Sequence, residues 1–154
     1  MRAVLDTNIL VSALLWGGIP KQLLDAGRNR RLTLLTGAAL VAELEEVLGR
    51  PKFAGRLARA GTSVDALLEG YLDLVHFVHA PPLAGIILAG SRDPKDDTVL
   101  ACALAATAEL IVSGDQDLLT IGSFRGIRIV SASVALAALT ADAPDAPAID
   151  APGK

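Results

Sequence analysis

The sequence predicts an α/β fold, a three-layer α/β/α sandwich built on a central parallel sheet. Three observations carry this expectation. Short apolar runs alternate along the chain with longer segments of helical spacing, the order that generates parallel strands linked by helices. The runs are apolar at nearly every position, as strands covered on both faces are. The composition, 52% hydrophobic over 154 residues, supplies one core and one domain.

Residues 2–6 (RAVLD) form the first strand, with Asp6 at its carboxyl end. Residues 32–36 (LTLLT), 75–79 (VHFVH), 109–113 (ELIVS) and 127–131 (IRIVS) read as further strands, bounded by Gly, Pro or charge. Helical spacing covers residues 20–29, 38–48, 64–74, 96–108 and 133–139. Pro20 suits a first helical turn, Thr62 or Ser63 the cap of the third helix, and Ser133 the cap of the last. Residues 140–154, with Pro144, Pro147, Pro152 and Gly153 among Ala and Asp, read as a disordered tail to a folded domain over 1–139.

Composition and charge narrow the function classes. A single Cys excludes an internal disulfide framework. Uncharged stretches such as 7–20 and 129–141 are too short for a membrane-spanning helix. Asp6 interrupts what would be the apolar part of a signal peptide, so the expected location is the cytoplasm. The net charge of -3 is uneven: residues 21–59 hold eight basic side chains against four acids. Solvated helix faces account for that excess; so does a surface for nucleic acid.

The informative residues are carboxylates. Glu43 lies beside the packing stripe Leu40, Leu44, Val47, Leu48 of its helix, and Glu45 faces away. Asp93, Asp96 and Asp97 precede a helix of small apolar residues; the helix dipole explains one acid there, not three. Asp115 and Asp117 follow the strand at 109–113, where an Asp-rich turn with Asp117 as helix cap is the structural alternative. If Asp6 and Asp115 end adjacent strands, a divalent cation resolves their repulsion. Oxygen ligands without Cys or a His set indicate Mg²⁺ or Mn²⁺ and phosphate-ester chemistry. No GxGxxG or GxxxxGK[ST] loop is present.

These residues resemble the PIN-domain ribonucleases, and among them the VapC-like toxins of toxin-antitoxin pairs. The likeness rests on VLDTNIL at 4–10, VAELEEVL at 41–48 followed by RPKF at 50–53, DPKDDTVLACAL at 93–104, and LIVSGDQDLL at 110–119. It implies a metal-dependent endoribonuclease with Mg²⁺ or Mn²⁺ held by Asp6, Glu43, Asp97 and Asp115, with Asp117 as a fifth acid. Asn8 and Ser113 resemble residues that support the metal or its waters. Asp97 is preferred to Asp93 and Asp96 because the family's acid stands just before the small-residue helix with an Ala one turn later, here Ala101. The resemblance further implies an RNA substrate, with Lys21, Arg28, Arg30, Arg31, Arg50 and Lys52 on its backbone, a cognate antitoxin, a homodimer and no membrane. The SGDQD form of the last motif departs from the version usual in the best-known toxins, which bears on toxin identity rather than on the ligand set.

Two alternatives stand beside this reading: a phosphatase with Asp6 as covalent nucleophile, which would want an acid where the chain has Asn8, and a binding module or inactive scaffold of the same fold. His76 and His79 lack a partner motif and read as structural or surface residues. Cys102 reads as an apolar filler. Trp16, if exposed, suits a dimer or antitoxin contact.

Overall fold

A computed structural model describes residues 1–80 and 94–141, with the side chains of 94–96 left out. The elements run β1 (Arg2–Leu5), α1 (Thr7–Leu15), α2 (Gly18–Arg28), β2 (Thr33–Thr36), α3 (Ala38–Leu48), α4 (Pro51–Arg59), α5 (Val64–Leu72), β3 (His76–Phe77), α6 (Pro94–Ala105), β4 (Leu110–Val112), α7 (Gln116–Ile121), β5 (Ser123–Phe124), β6 (Ile127–Val130) and α8 (Ala132–Ala141). The six described strands form one sheet in the order β3-β2-β1-β4-β6-β5. All neighbouring pairs are parallel except β5 with β6.

Successive strand residues point to opposite faces, and the burial shows it. Ala3, Leu5, Leu34, Leu110 and Val112 join one core cluster with residues of α1, α2, α3, α5 and α8. Val4, Leu35, Ile111, Ile127 and Ile129 join a second with Val99, Leu100, Cys102 and Ala103 of α6 and Leu118 of α7. The sheet therefore has helices on both faces, which is why its strands read as unbroken apolar runs. Leu40, Leu44, Val47 and Leu48 of α3 are buried as the stripe predicted, with Glu45 and Glu46 exposed.

Several elements differ from the sequence reading. The helices α1 and α4 were not anticipated. In α1 the residues are uncharged throughout, so no polar face marks a helical period; in α4, Pro51 occupies the first helical position and only Phe53 and Leu57 are buried. The antiparallel β5 turns into β6 through Arg125 (φ 49°) and Gly126 (φ 86°). Two positive φ values in a two-residue hairpin match the right-handed strand twist, and Arg is an unusual residue to announce it. The strand expected at 75–79 shortens to two residues. The cap of α8 is Ser131, whose Oγ accepts from Val134 N–H at 3.2 Å, rather than Ser133. Ser63 caps α5, accepting from Ala66 N–H at 3.1 Å. Helix α8 continues through Thr140 and Ala141; residues 142–154, where the tail was expected, lie outside the described residues.

Burial also fixes two groups in their neutral forms. It pushes the Cys102 thiol up to about 11 and the Tyr71 phenol up to about 12. Both deprotonate more readily in the unfolded chain, whose ordinary values are 9.0 and 10.0. The folded state keeps its full advantage below about pH 9 and loses it progressively as pH rises toward 12, by a few kcal/mol in all. Urea midpoints measured from pH 8 to pH 11 should fall, and fall less in a Cys102→Ala, Tyr71→Phe double variant; equal declines would assign the effect elsewhere.

Candidate active site

The chain leaves β1 for β2 and β3 on one side, then returns to lay β4 against the other side of β1. The carboxyl ends of β1 and β4 thus flank the point where strand order reverses, the crevice in which open parallel sheets bind ligands. Asp6 and Ser113 stand at those two ends. The backbone N–H of Asp6 donates to Val112 O at 2.9 Å, and that of Ser113 to Val130 O at 3.0 Å, so both positions are tied to the ladder.

A chain of hydrogen bonds links four of the expected site residues. Thr7 N–H donates to Asp6 Oδ1 at 2.8 Å, making Asp6 the cap of α1. Ser113, fully buried, donates its Oγ–H to Asp6 Oδ2 at 2.8 Å. The same Oγ accepts the N–H of Asp115 at 3.0 Å. Asp115 Oδ1 in turn accepts the N–H of Asp117 at 2.8 Å, so Asp115, not Asp117, caps α7. Asp117 is exposed in the first turn of that helix, and Asn8 is exposed in the first turn of α1. Asp6 is thus held by two donors of different elements, and Ser113 sets its orientation relative to Asp115.

The other acids approach from the helices. Glu43, half-buried, lies on α3, which packs on α6. Asp97, also half-buried, lies within the first turns of α6 because that helix begins at Pro94, earlier than expected, and ends at Ala105. Asp93 and the side chain of Asp96 lie outside the described residues. Asp97 lines a cavity of about 430 Å³ between the first turn of α3, the end of β3 and the start of α6.

Among the described residues no three His, Cys, Asp or Glu side chains converge tightly enough to enclose a metal ion. The path from Asp6 through Ser113 to Asp115 instead links two half-buried carboxylates beyond the carboxyl ends of β1 and β4, with the Ser113 hydroxyl buried between them. That suits a hard, largely hydrated cation, since Mg²⁺ keeps several waters and is commonly held by one or two carboxylates. The buried Thr7 hydroxyl beside Asp6 has no hydrogen-bond partner, which leaves a polar atom at the same edge unsatisfied.

The expected backbone-binding cations divide into two groups. Lys21 and Arg28 pair with Asp25 at 3.1 and 3.0 Å, and Arg50 pairs with Glu46 at 3.0 Å, which raises the Arg50 pKa further. These are solvent-exposed pairs, the first two within α2 and the third between α3 and the residue that precedes α4, and they yield to a phosphate at little cost. Arg30, Arg31 and Lys52 are exposed, with Lys52 5.1 Å from the Phe53 ring centroid.

Two features escaped the sequence reading. Arg56 stacks 4.7 Å over Trp16 and donates from Nε to Leu15 O at 2.7 Å, pinning an indole that is 57% exposed. Phe77 ends β3 at the cavity and is 58% exposed. Its signal was a Phe between His76 and Val78 in the least regular apolar run, which reads equally as a short edge strand.

The model of a family described as PIN domain matches residues 2–117. Among solved structures, the chain is similar to VapBC2 from Rickettsia felis bound to a DNA fragment from their promoter, with TM-score 0.55 and 16% identity over 84% of this chain and 97% of that one. It is also similar to PAE2754 from Pyrobaculum aerophilum, with TM-score 0.57 and 18% identity over 92% of this chain and 91% of that one. At these identities the likeness is one of fold. No curated protein matches the sequence.

Proposed function

We infer that this chain, which belongs to the PIN domain family, is a metal-dependent endoribonuclease and the toxin of a toxin-antitoxin pair. PIN domains are generally nucleases, and PIN nucleases generally use divalent metals. The observation that carries the reading for this chain is the Asp6–Ser113–Asp115 path at the strand-order reversal. The toxin assignment is supported by the fold shared with VapBC2 and by the four motifs; on it the partners are RNA, an antitoxin and a second copy of the chain, in the cytoplasm. No described helix is long and apolar enough to cross a membrane.

In this reading Asp6, Glu43, Asp97, Asp115 and Asp117 would hold Mg²⁺ or Mn²⁺, with Asn8 and Ser113 in support. When bound, the ion supplies an activated water and charge stabilisation at the scissile phosphate. Thr7 N–H and Ser113 Oγ–H hold the Asp6 carboxylate in one orientation, and an oriented ligand is what keeps a hydrated ion in register with its substrate. Asp97, from the α6 side, orients the water nucleophile. Arg30, Arg31 and Lys52, joined by Lys21, Arg28 and Arg50 when their surface pairs open, attract the RNA backbone without reading sequence.

The test is cleavage of a mixed RNA panel by the purified protein with Mg²⁺ or Mn²⁺, beside an EDTA arm. Cutting that appears with the metal and disappears with EDTA is the expected result. Cutting indifferent to EDTA, or none from a folded protein across the panel, counts against the assignment.

A further inference from the structure

We propose that the cavity beside Asp97 is a nucleobase subsite, taking one unstacked base of single-stranded RNA next to the scissile phosphate, with Phe77 as its stacking surface. The proposal rests on the ribonuclease reading above and names where that substrate docks. The cavity, about 430 Å³, falls in the range of roughly 300–1,000 Å³ typical of small-ligand pockets. Its walls come from the start of α3, the end of β3 and the start of α6. Gly37 allows the meeting: a Cβ there would stand 3.2 Å from Val78 O and 3.7 Å from Cys102 Sγ.

The lining selects the class of ligand. Ala39, Ala101 and Cys102 make small apolar walls, and Phe77 offers a largely exposed ring. A flat, neutral, aromatic ligand matches these surfaces. The Asp97 carboxylate on the wall disfavours an anion, so the phosphate of the same nucleotide stays outside, toward Asp6 and Ser113. Single-stranded RNA is recognised by splayed bases stacked on aromatic side chains, and removing one such ring weakens binding roughly tenfold.

The experiment uses the full chain with an oligoribonucleotide carrying 2-aminopurine at each position in turn, titrated in EDTA, alongside cleavage with Mg²⁺. Phe77→Ala should weaken binding roughly tenfold and relieve the 2-aminopurine quenching at one position. Ala39→Leu, an exposed helical site that narrows the cavity, should do the same. Val134→Ala, on an exposed residue outside the cavity, should match the parent. RNA bound and cut equally well by Phe77→Ala and Ala39→Leu would overturn the subsite and leave the ribonuclease reading standing. A parent protein that neither binds nor cuts RNA would overturn both.

Discussion

Asp6→Asn is expected to lower RNA cleavage by more than about 100-fold while leaving the fold intact. Loss of a residue that merely orients a metal ligand costs about 10–100-fold, and Asp6 is proposed as a ligand itself. The choice of Asn separates chemistry from stability. Asp6 caps α1 through Oδ1, and Asn caps as well as Asp, so the helix keeps its start. The amide retains an oxygen for Thr7 N–H or Ser113 Oγ–H but loses the charge a cation requires. Cleavage rates and thermal unfolding, measured on the same preparation, decide the matter. Retained cleavage with an unchanged melting temperature would remove Asp6 from the site; lost cleavage with a collapsed fold would make it structural.

Ser113→Ala should reduce cleavage by about 10–100-fold and stability by about 1–3 kcal/mol. Its hydroxyl is fully buried and serves two partners, donating to Asp6 and accepting from Asp115 N–H. Without it the half-buried N–H of Asp115, at the cap of α7, loses its partner, and Asp6 loses the contact that couples it to Asp115. Ser113→Thr restores the hydroxyl at the cost of one methyl in a packed position, and recovery of cleavage there would tie the loss to the hydrogen bonds. A Ser113→Ala protein less stable yet fully active would confine the residue to the fold.

The sheet and most of its helices were legible because burial on both faces writes a strong signal. Runs such as LTLLT and ELIVS have no polar phase to confuse a strand with a surface helix. Asp6 was legible for a related reason: an acid that ends such a run must sit at the sheet edge. Where the signal failed, two codes overlapped. In α1 the cap is also the candidate ligand and the helix is uncharged, so residues 7–15 read only as an apolar stretch. In α6, Asp96 and Asp97, expected before the helix, lie inside its opening turns, since Pro94 starts helices as readily as it ends loops. The Asp115 and Asp117 roles at α7 were exchanged because an Asx turn and a helix cap share one sequence. The Arg56–Trp16 stack and the cavity at Phe77 arise from contacts between distant segments, which no local pattern encodes.

The outermost strands, β3 and β5, are each two residues long. An edge strand exposes unpaired N–H and C=O groups, and a long flat one invites a stranger's strand to extend the sheet. A two-residue edge offers too few rungs for such a partner to gain a grip, and β5 also runs opposite to the rest. The apolar interior of β1 and β4 is thereby kept from ordered self-aggregation by its own margins.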